Sequence, residues 1–450
     1  MNKKNILHIT PHLGGGVGRV ILNYLGKVKD DSAFKHKVLC LDFANKNAVR
    51  LAGDIGLALM DNMANKKQKL LKMLAGADIV LIHWWNHPLL YDFLVRTQLP
   101  PCRLIMWSHI SGFHPPSVFT NKILRYPDLF VFTTPVSYGA KEVKNLSDER
   151  KKLLRAVWST GGVEHARSVK PKAHAGFNVG YVGTVDYCKM HPDFLVICSR
   201  VDIPDVNFIV CGGPKEKELK REAEKLGIIK KFNFTGLVPD ISKYLSLFDV
   251  FGYPLAPYHY GTCDQVLAEC MAAGIVPVVM SNRMESYMVK DGVTGIIAKN
   301  QKEYVKAIEN LYFNKNQRSY LSLNAKKYAH KTFSLEIIRR EWEKIFTEIL
   351  AFPKTAKKWE IGTDSSKISA KDVFLEALGD YGKDFISYCD ARSNGEKIKY
   401  AHKIKKLAES AAWQAETKGT VHHYHSFFND DIYLSQWSKI MEPPKKNYEK

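Results

Sequence analysis

KNILHITPHLGGGVGRVILNYLGKV, residues 4–28, decides how the rest of the chain is read. Residues 4–10 form a short apolar run, Gly14, Gly15, Gly16 and Gly18 follow at once, and residues 20–28 carry apolar side chains at helical spacing. A buried strand that passes through a glycine-rich turn into a helix opens a βα unit. The backbone N–H groups of such a turn, with the helix N-terminus behind them, can cradle a phosphate. NVGYVGTVDYCK, residues 178–189, places a second glycine-rich junction at the equivalent point of the second half.

Working outward, HKVLCLDF (36–43), ADIVLIHW (77–84), RLIMWSH (103–109) and DLFVFTT (128–134) are further short apolar runs. Near-continuous apolar strands separated by helical segments predict a parallel sheet covered on both faces. After a polar, proline-containing stretch, EHARSVKPKAHAGF (164–177), read as a linker, the series resumes with NFIVCGG (207–213), KFNFTG (231–236), VFGYPL (250–255), VPVVMS (276–281) and GIIAK (295–299). The expected architecture is α/β: two doubly wound Rossmann-like domains, 1–170 and 171–350, facing across a cleft, with ligands at the carboxyl ends of the strands. Residues 333–352 predict a closing helix. Residues 351–450 predict a helical extension, polar up to Lys371, with helices around 371–389 and 396–418 and an aromatic segment at 422–437.

The chain has 450 residues, 45% hydrophobic and 25% charged, which excludes collagen-like, low-complexity and wholly disordered classes. No apolar run reaches the roughly 18 residues of a membrane-spanning helix. Eight scattered cysteines with no Cys-x-x-Cys pair, and an opening run broken by His8, Pro11 and His12, predict a cytoplasmic protein with reduced thiols. The formal charge of +20 is uneven: residues 1–175 hold 26 Lys and Arg against 12 Asp and Glu. Lys66, Lys67, Lys69 and Lys72 interleave with Leu70, Leu71, Met73 and Leu74 as a basic amphipathic helix, a pattern that suits an anionic membrane surface and also suits a solvated helix face. Nucleic acid is not an expected partner, because charge stands without any recognition motif.

Arg19 stands where a dinucleotide fingerprint needs glycine, so a nicotinamide cofactor is not expected. Lys189, at the second glycine junction, offers a point charge suited to a diphosphate. In GTCDQVLAECMAAGIVPVV (261–279) Asp264 reads as the N-cap of a helix, Gly274 as its end, and Glu269 as a mid-helix carboxylate able to accept two ribose hydroxyls; a solvated helix face is the other reading of that position.

The order of these landmarks, with TTPVS (133–137), WSTGGVE (158–164), FIVCGGP (208–214), FTGLVPD (234–240), DVFGYP (249–254) and KDGVTGIIAKN (290–300), resembles the GT-B-fold retaining glycosyltransferases of family 4, the group 1 glycosyltransferases, over residues 1 to about 350. The resemblance implies transfer of a sugar from a nucleoside diphosphate donor to a glycan or lipid-linked acceptor, without metal or other cofactor. It implies catalytic roles for His109, Lys189 and Glu269, donor contacts from Gly15, Gly16, Lys189, Gly212, Val238, Gly261, Thr262 and Glu269, and an acceptor or phosphate loop at Gly14, Gly16 and Arg19. Lys189 would hold the diphosphate, Glu269 the ribose and backbone near Val238 the base, with His109 beside the donor sugar. Two positions depart from the family pattern: Gly261 falls where it has a glutamate and Thr184 where it has an arginine, with Arg19, His259 or Arg283 as candidate substitutes. A non-catalytic nucleotide-sugar-binding or scaffold protein of the same fold is the alternative. Pairing of two chains through residues 351–450 completes the expected partners, and His422, His423 and His425 are read as packing or surface groups ahead of metal ligands.

Overall fold

The computed structural model describes residues 3–30, 33–238, 240–361 and 367–442. They divide into two compact units, unit 1 comprising Met1–Ser159 and Arg339–Lys450, and unit 2 comprising Thr160–Ile338.

Unit 1 is built on a sheet of β1 (Lys4–Thr10), β2 (Phe34–Cys40), β3 (Ala58–Met60), β4 (Ile79–Trp84), β5 (Leu104–Ser108), β6 (Leu129–Phe132) and β7 (Leu154–Ala156). Its order is β7-β6-β5-β4-β1-β2-β3, parallel throughout. The run IVLIHW of β4 is buried at every position, as a central strand covered on both faces requires. Unit 2 holds β8 (Phe177–Val182), β9 (Val206–Cys211), β10 (Phe232–Gly236), β11 (Val250–Tyr253), β12 (Val276–Met280) and β13 (Ile296–Ala298). These lie in the order β10-β9-β8-β11-β12-β13, again all parallel. Each sheet reverses its strand order beside its first strand, between β1 and β4 and between β8 and β11, and in open α/β sheets the crevice at that reversal is where ligands sit.

The glycine-rich junctions serve this geometry. At Gly212, just past β9, a Cβ would lie 1.9 Å from the carbonyl oxygen of Gly183, so only glycine lets the two strand ends approach. Helix α1 (Gly15–Lys27) leaves the first junction, with α2 (Lys67–Gly76) and α3 (Pro88–Arg96) later in unit 1. In unit 2, α4 (Gln265–Ala273) stops at Gly274, whose left-handed backbone (φ 85°) returns its N–H to Cys270, as its sequence predicts.

The stretch read as a linker is folded into unit 2. Glu164–Ser168 forms a short 3-10 helix, Glu164 accepts a bond from the N–H of Leu335, and the N–H of Lys172 donates to the carbonyl of Ser246. The long α5 (Leu335–Leu350) closes the α/β region, and the division between the units falls within it. Beyond it, the chain stays with unit 1. Thr355–Lys357 pairs antiparallel with Leu99–Cys102, and Trp359, Phe374, Tyr424 and Trp437 enter the same buried cluster as Trp84, Tyr91 and Phe130. The helix expected over 371–389 is broken into α6 (Ala370–Leu378) and Lys383–Asp390 by a turn whose Gly379 has φ 53°. The one expected over 396–418 ends at Leu407, where Gln414 takes up the carbonyl of Ala408. The aromatic segment forms α7 (Val421–Phe427) and α8 (Ile432–Met441). Residues 362–366 and 443–450 of the expected extension lie outside the described residues. The eight cysteines are free thiols, and no helix among the described residues is long and apolar enough to cross a membrane.

Candidate functional site

At the strand reversal of unit 2 the loops leaving β8 and β11 are joined by backbone bonds from Ala256 N–H to the Lys189 carbonyl and from His191 N–H to the Pro254 carbonyl. This joint holds Lys189, whose side chain is 12% exposed, against Asp264. The ammonium donates to Asp264 Oδ1 at 2.6 Å and lies 5.5 Å from the centre of the Tyr253 ring, while Tyr253 Oη donates to the same oxygen at 3.2 Å. Burial by itself lowers the Lys189 pKa, but the Asp264 carboxylate, with Tyr260 and Tyr181, outweighs it and holds the ammonium above its ordinary value. Burial likewise opposes ionisation of Asp264, and Lys189 and His259 reverse this, holding its carboxyl below the usual range. Asp264 occupies the N-cap position of α4, as expected, yet its side chain makes no capping bond: the ion pair has claimed it.

The two departures from the family pattern have local explanations. At Gly261 a Cβ would meet the His259 ring at 2.6 Å, so His259 fills the space a longer side chain would need. Gly261 N–H donates to His259 Nδ1 at 2.9 Å, which leaves the ring proton on Nε2, 3.3 Å from Glu285; both side chains are almost fully buried. The same Cβ would lie 3.3 Å from Asp264 Oδ2, a buried oxygen without a hydrogen-bond partner. A carboxylate oxygen therefore stands beside the point where a side chain at 261 would begin. At Thr184, where the resemblance leads one to expect an arginine, Tyr260 Oη donates to the hydroxyl at 3.1 Å and Tyr181 Oη to the carbonyl at 2.8 Å, so two phenols enclose the position. Burial pushes the Tyr260 hydroxyl up to about 12, which keeps it a neutral donor. Arg283, one candidate substitute, is exposed at the start of the short helix Arg283–Met288.

Glu269 is not on a solvated face. It is 2% exposed in the middle of α4, with Oε1 3.3 Å from His165 Nε2 of the 3-10 segment. Thr262 and Val238 are half-buried, and Gly212 closes the end of β9.

In unit 1, Gly14 caps α1, Gly15 and Gly16 begin it, and Arg19 stands exposed one turn on. His109 follows β5, buried, with Nε2 3.1 Å from His83 Nδ1 and Nδ1 3.2 Å from Ser159 Oγ. Burial drops its pKa to about 3. His83 in turn meets His8 at 3.0 Å, and His8 meets His36 at 2.8 Å. A second group gathers past β1 and β4: His87 packs edge-on against His423 of α7, with ring centres 4.9 Å apart, and against His12. His423 Nδ1 accepts from Gly419 N–H, and His422 Nδ1 lies 2.8 Å from Ser438 Oγ, so these two rings are packed and hydrogen-bonded. Sequence reasoning singled out His83 and His109 but not His8, His36, His165 or the Glu285 partner of His259. The available signal was a histidine inside each of several apolar strand runs.

On α2 the lysines 67, 69 and 72, and Lys66 just before it, are exposed, whereas Leu70 and Leu74 are fully buried in unit 1 and Leu71 and Met73 pack partly against the same core. The apolar stripe is thus taken up by the protein. What remains outward is charge without an apolar face.

Two parallel sheets of this strand order in one chain, with a further helical region, define the GT-B class. Residues 163–328, nearly all of unit 2, match the family model of the glycosyl transferases group 1. Comparison with curated proteins returns no match. Among solved structures, the chain is similar to Anabaena HepE in complex with UDP-glucose (16% identity, TM-score 0.61, 76% of this chain and 99% of that one). It is also similar to a glycosyltransferase from Rickettsia africae (13%, 0.62, 78% and 100%) and to the pneumococcal O-GlcNAc transferase GtfA in complex with UDP and GlcNAc (11%, 0.59, 78% and 100%).

Proposed function

We infer that the chain transfers a sugar from a nucleoside diphosphate sugar to a hydroxyl of a glycan or lipid-linked glycan, as a hexosyltransferase that retains the anomeric configuration and uses no metal ion. The observation that carries this reading is the buried, permanently charged Lys189 at the carboxyl ends of β8 and β11, inside the segment that matches the group 1 model. An ammonium has three N–H bonds. One goes to Asp264, and the others are available in chemistry to the oxygens of a leaving diphosphate. Glu269 accepts the ribose hydroxyls and backbone near Val238 faces the base; the UDP held by HepE and GtfA supports uridine. Asp264 Oδ2 accepts a donor-sugar hydroxyl in place of the family glutamate missing at Gly261. Gly14, Gly16 and Arg19 serve the acceptor or phosphate, and His109 lies beside the reacting sugar. In this reading the protein works in the cytoplasm, where Lys66, Lys67, Lys69 and Lys72 add electrostatic contact with an anionic membrane face.

A second reading, nucleotide-sugar binding without transfer, is favoured by one feature: the Asp264 carboxylate partly cancels the cation that a leaving phosphate needs. The two are separated by incubating the purified protein with a panel of nucleotide sugars and oligosaccharide acceptors and weighing the products. Lys189→Ala should stop transfer with the circular dichroism unchanged. UDP binding with no turnover of any donor favours the binding protein, and absence of all nucleotide binding sinks both readings.

A further inference from the structure

Four adjacent strands of unit 1 each bring one histidine into a single row. His36 on β2, His8 on β1, His83 on β4 and His109 just past β5 follow the sheet order β2-β1-β4-β5. Neighbouring ring centres are 5.1, 5.3 and 5.3 Å apart, close to the ~4.8 Å spacing of strands. Every link has the same sense: Nδ1 of His36 faces Nε2 of His8, Nδ1 of His8 faces Nε2 of His83, Nδ1 of His83 faces Nε2 of His109, and Nδ1 of His109 faces Ser159 Oγ. A neutral imidazole has one N–H and one bare nitrogen. A row so joined has two fully bonded arrangements, all protons on Nδ1 or all on Nε2. Trp107 lies against His83 and His109, and Tyr24 and Phe346 border His36. His8, His83 and His109 are buried, and His36 at the far end is half-buried. Burial, followed by the neighbouring imidazoles, holds His8 and His83 well below the ordinary histidine range, so each ring rests neutral.

We propose that this row is a proton relay, which takes up a proton at the Ser159–His109 end and gives one out at His36 during glycosyl transfer. It rests on the transfer reading above, which puts His109 beside the reacting sugar. A phosphate monoester loses its second proton near pH 6, so transfer at pH 7 releases a net proton whichever group accepts it first, and the row offers that proton a path out of the site. As the new C–O bond forms, the acceptor O–H bond breaks and the diphosphate departs with the electron pair of the sugar–phosphate bond. The proton reaches His109 Nδ1 through Ser159 Oγ. N–H bonds then form at Nδ1 of His109, His83, His8 and His36 while the Nε2–H bonds of the same four rings break, and the proton from His36 Nε2 leaves the row. One proton enters, one leaves, and every ring ends neutral. Once product has gone, His36 Nε2 takes a proton back from water, the reverse shift restores the first arrangement, and one proton passes to water at the Ser159 end.

Nitrogen-15 NMR of histidine-labelled protein without substrate tests the row itself: four neutral rings sharing one tautomer are expected at pH 7. Neighbours in opposite tautomers, or a ring held charged, overturn the relay. Turnover tests its use. His83→Gln keeps one donor and one acceptor but cannot pass a proton between them. The expected result is a kcat on the order of 10- to 100-fold lower, with donor KM and UDP affinity unchanged, and loss of the curved dependence of rate on D2O fraction seen in the unsubstituted enzyme. Unchanged kcat, or a linear dependence in the unsubstituted enzyme, overturns the proposal. His36→Gln, at the half-buried end, gives the same readouts should His83→Gln fail to fold. A protein that binds UDP but transfers no sugar removes the transfer reading alone, and the tautomers still decide the row.

Discussion

The two strand reversals of this molecule share a topology and solve the burial of polar groups in opposite ways. Unit 2 lines its reversal with partnered acids and bases: the ion pair of Lys189 with Asp264, His259 beside Glu285, and His165 beside Glu269 on the helix that follows. Unit 1 lines its own with rings that burial keeps uncharged, His8, His83 and His109 of the row and the group of His12, His87 and His423. The sheet therefore fixes where functional side chains stand and leaves the electrostatics open. A paired charge suits a fixed anion such as a diphosphate, whereas neutral imidazoles suit protons that move.

The contrast can be broken most sharply in unit 2. Asp264→Leu leaves a buried ammonium uncompensated and should cost about 3–5 kcal/mol of stability, measured by urea titration following tyrosine. Lys189→Met combined with Asp264→Leu should recover most of that, and a loss below about 1 kcal/mol for the single change would show that the pair is not what holds the loops. Unit 1 should respond to acid instead. The folded pKa of His109 is about 3, below the ordinary 6.5, so its contribution is complete above pH 6.5 and falls as pH drops from there toward 3. At the usual free energy per pH unit, one such group removes on the order of 3 kcal/mol by pH 4.5. All eight tryptophans lie in unit 1, so their fluorescence follows this unit alone, and His109→Gln should flatten the slope. Glu269→Ala should weaken UDP binding by about 1.5–3 kcal/mol in calorimetry, the range of a hydrogen bond to a charged group; equal affinity would detach Glu269 from the ribose. The smallest effect is expected from Lys66, Lys67, Lys69 and Lys72 changed together to Gln. Binding to vesicles of anionic lipid should weaken severalfold with the melting temperature unchanged, because Leu70 and Leu74 remain in the core.

Strand order, the two glycine junctions and the end of α4 at Gly274 were legible because each depends on local apolar runs and backbone freedom that one sequence displays. The residues of both reversals could be named singly from the chain. Their partners could not: Lys189 and Asp264 are 75 residues apart, and nothing local to Asp264 says that its carboxylate will leave the cap for an ammonium. The same holds for His8 and His83, also 75 residues apart, which meet only because β1 and β4 are neighbours in the sheet. The aromatic C-terminal segment left its role open for a related reason. Its tryptophans and phenylalanines mark a core without saying whose, and they complete that of unit 1. The lysine helix shows the converse, an apolar stripe that fits a membrane or a core equally well until its neighbours are known.

The chain leaves unit 1 at Ser159 and returns at Arg339, so the second sheet is an insertion in the first. On the ribosome this sets an order. A nascent chain that has emerged as far as Ile338 holds every contact of the inserted unit, whereas the unit whose strands were made first still waits for Trp342, Trp359, Phe374 and Trp437. Protease pulses on chains stalled just far enough past residue 338 for it to clear the exit tunnel should accordingly spare 160–338 and cut within 1–159.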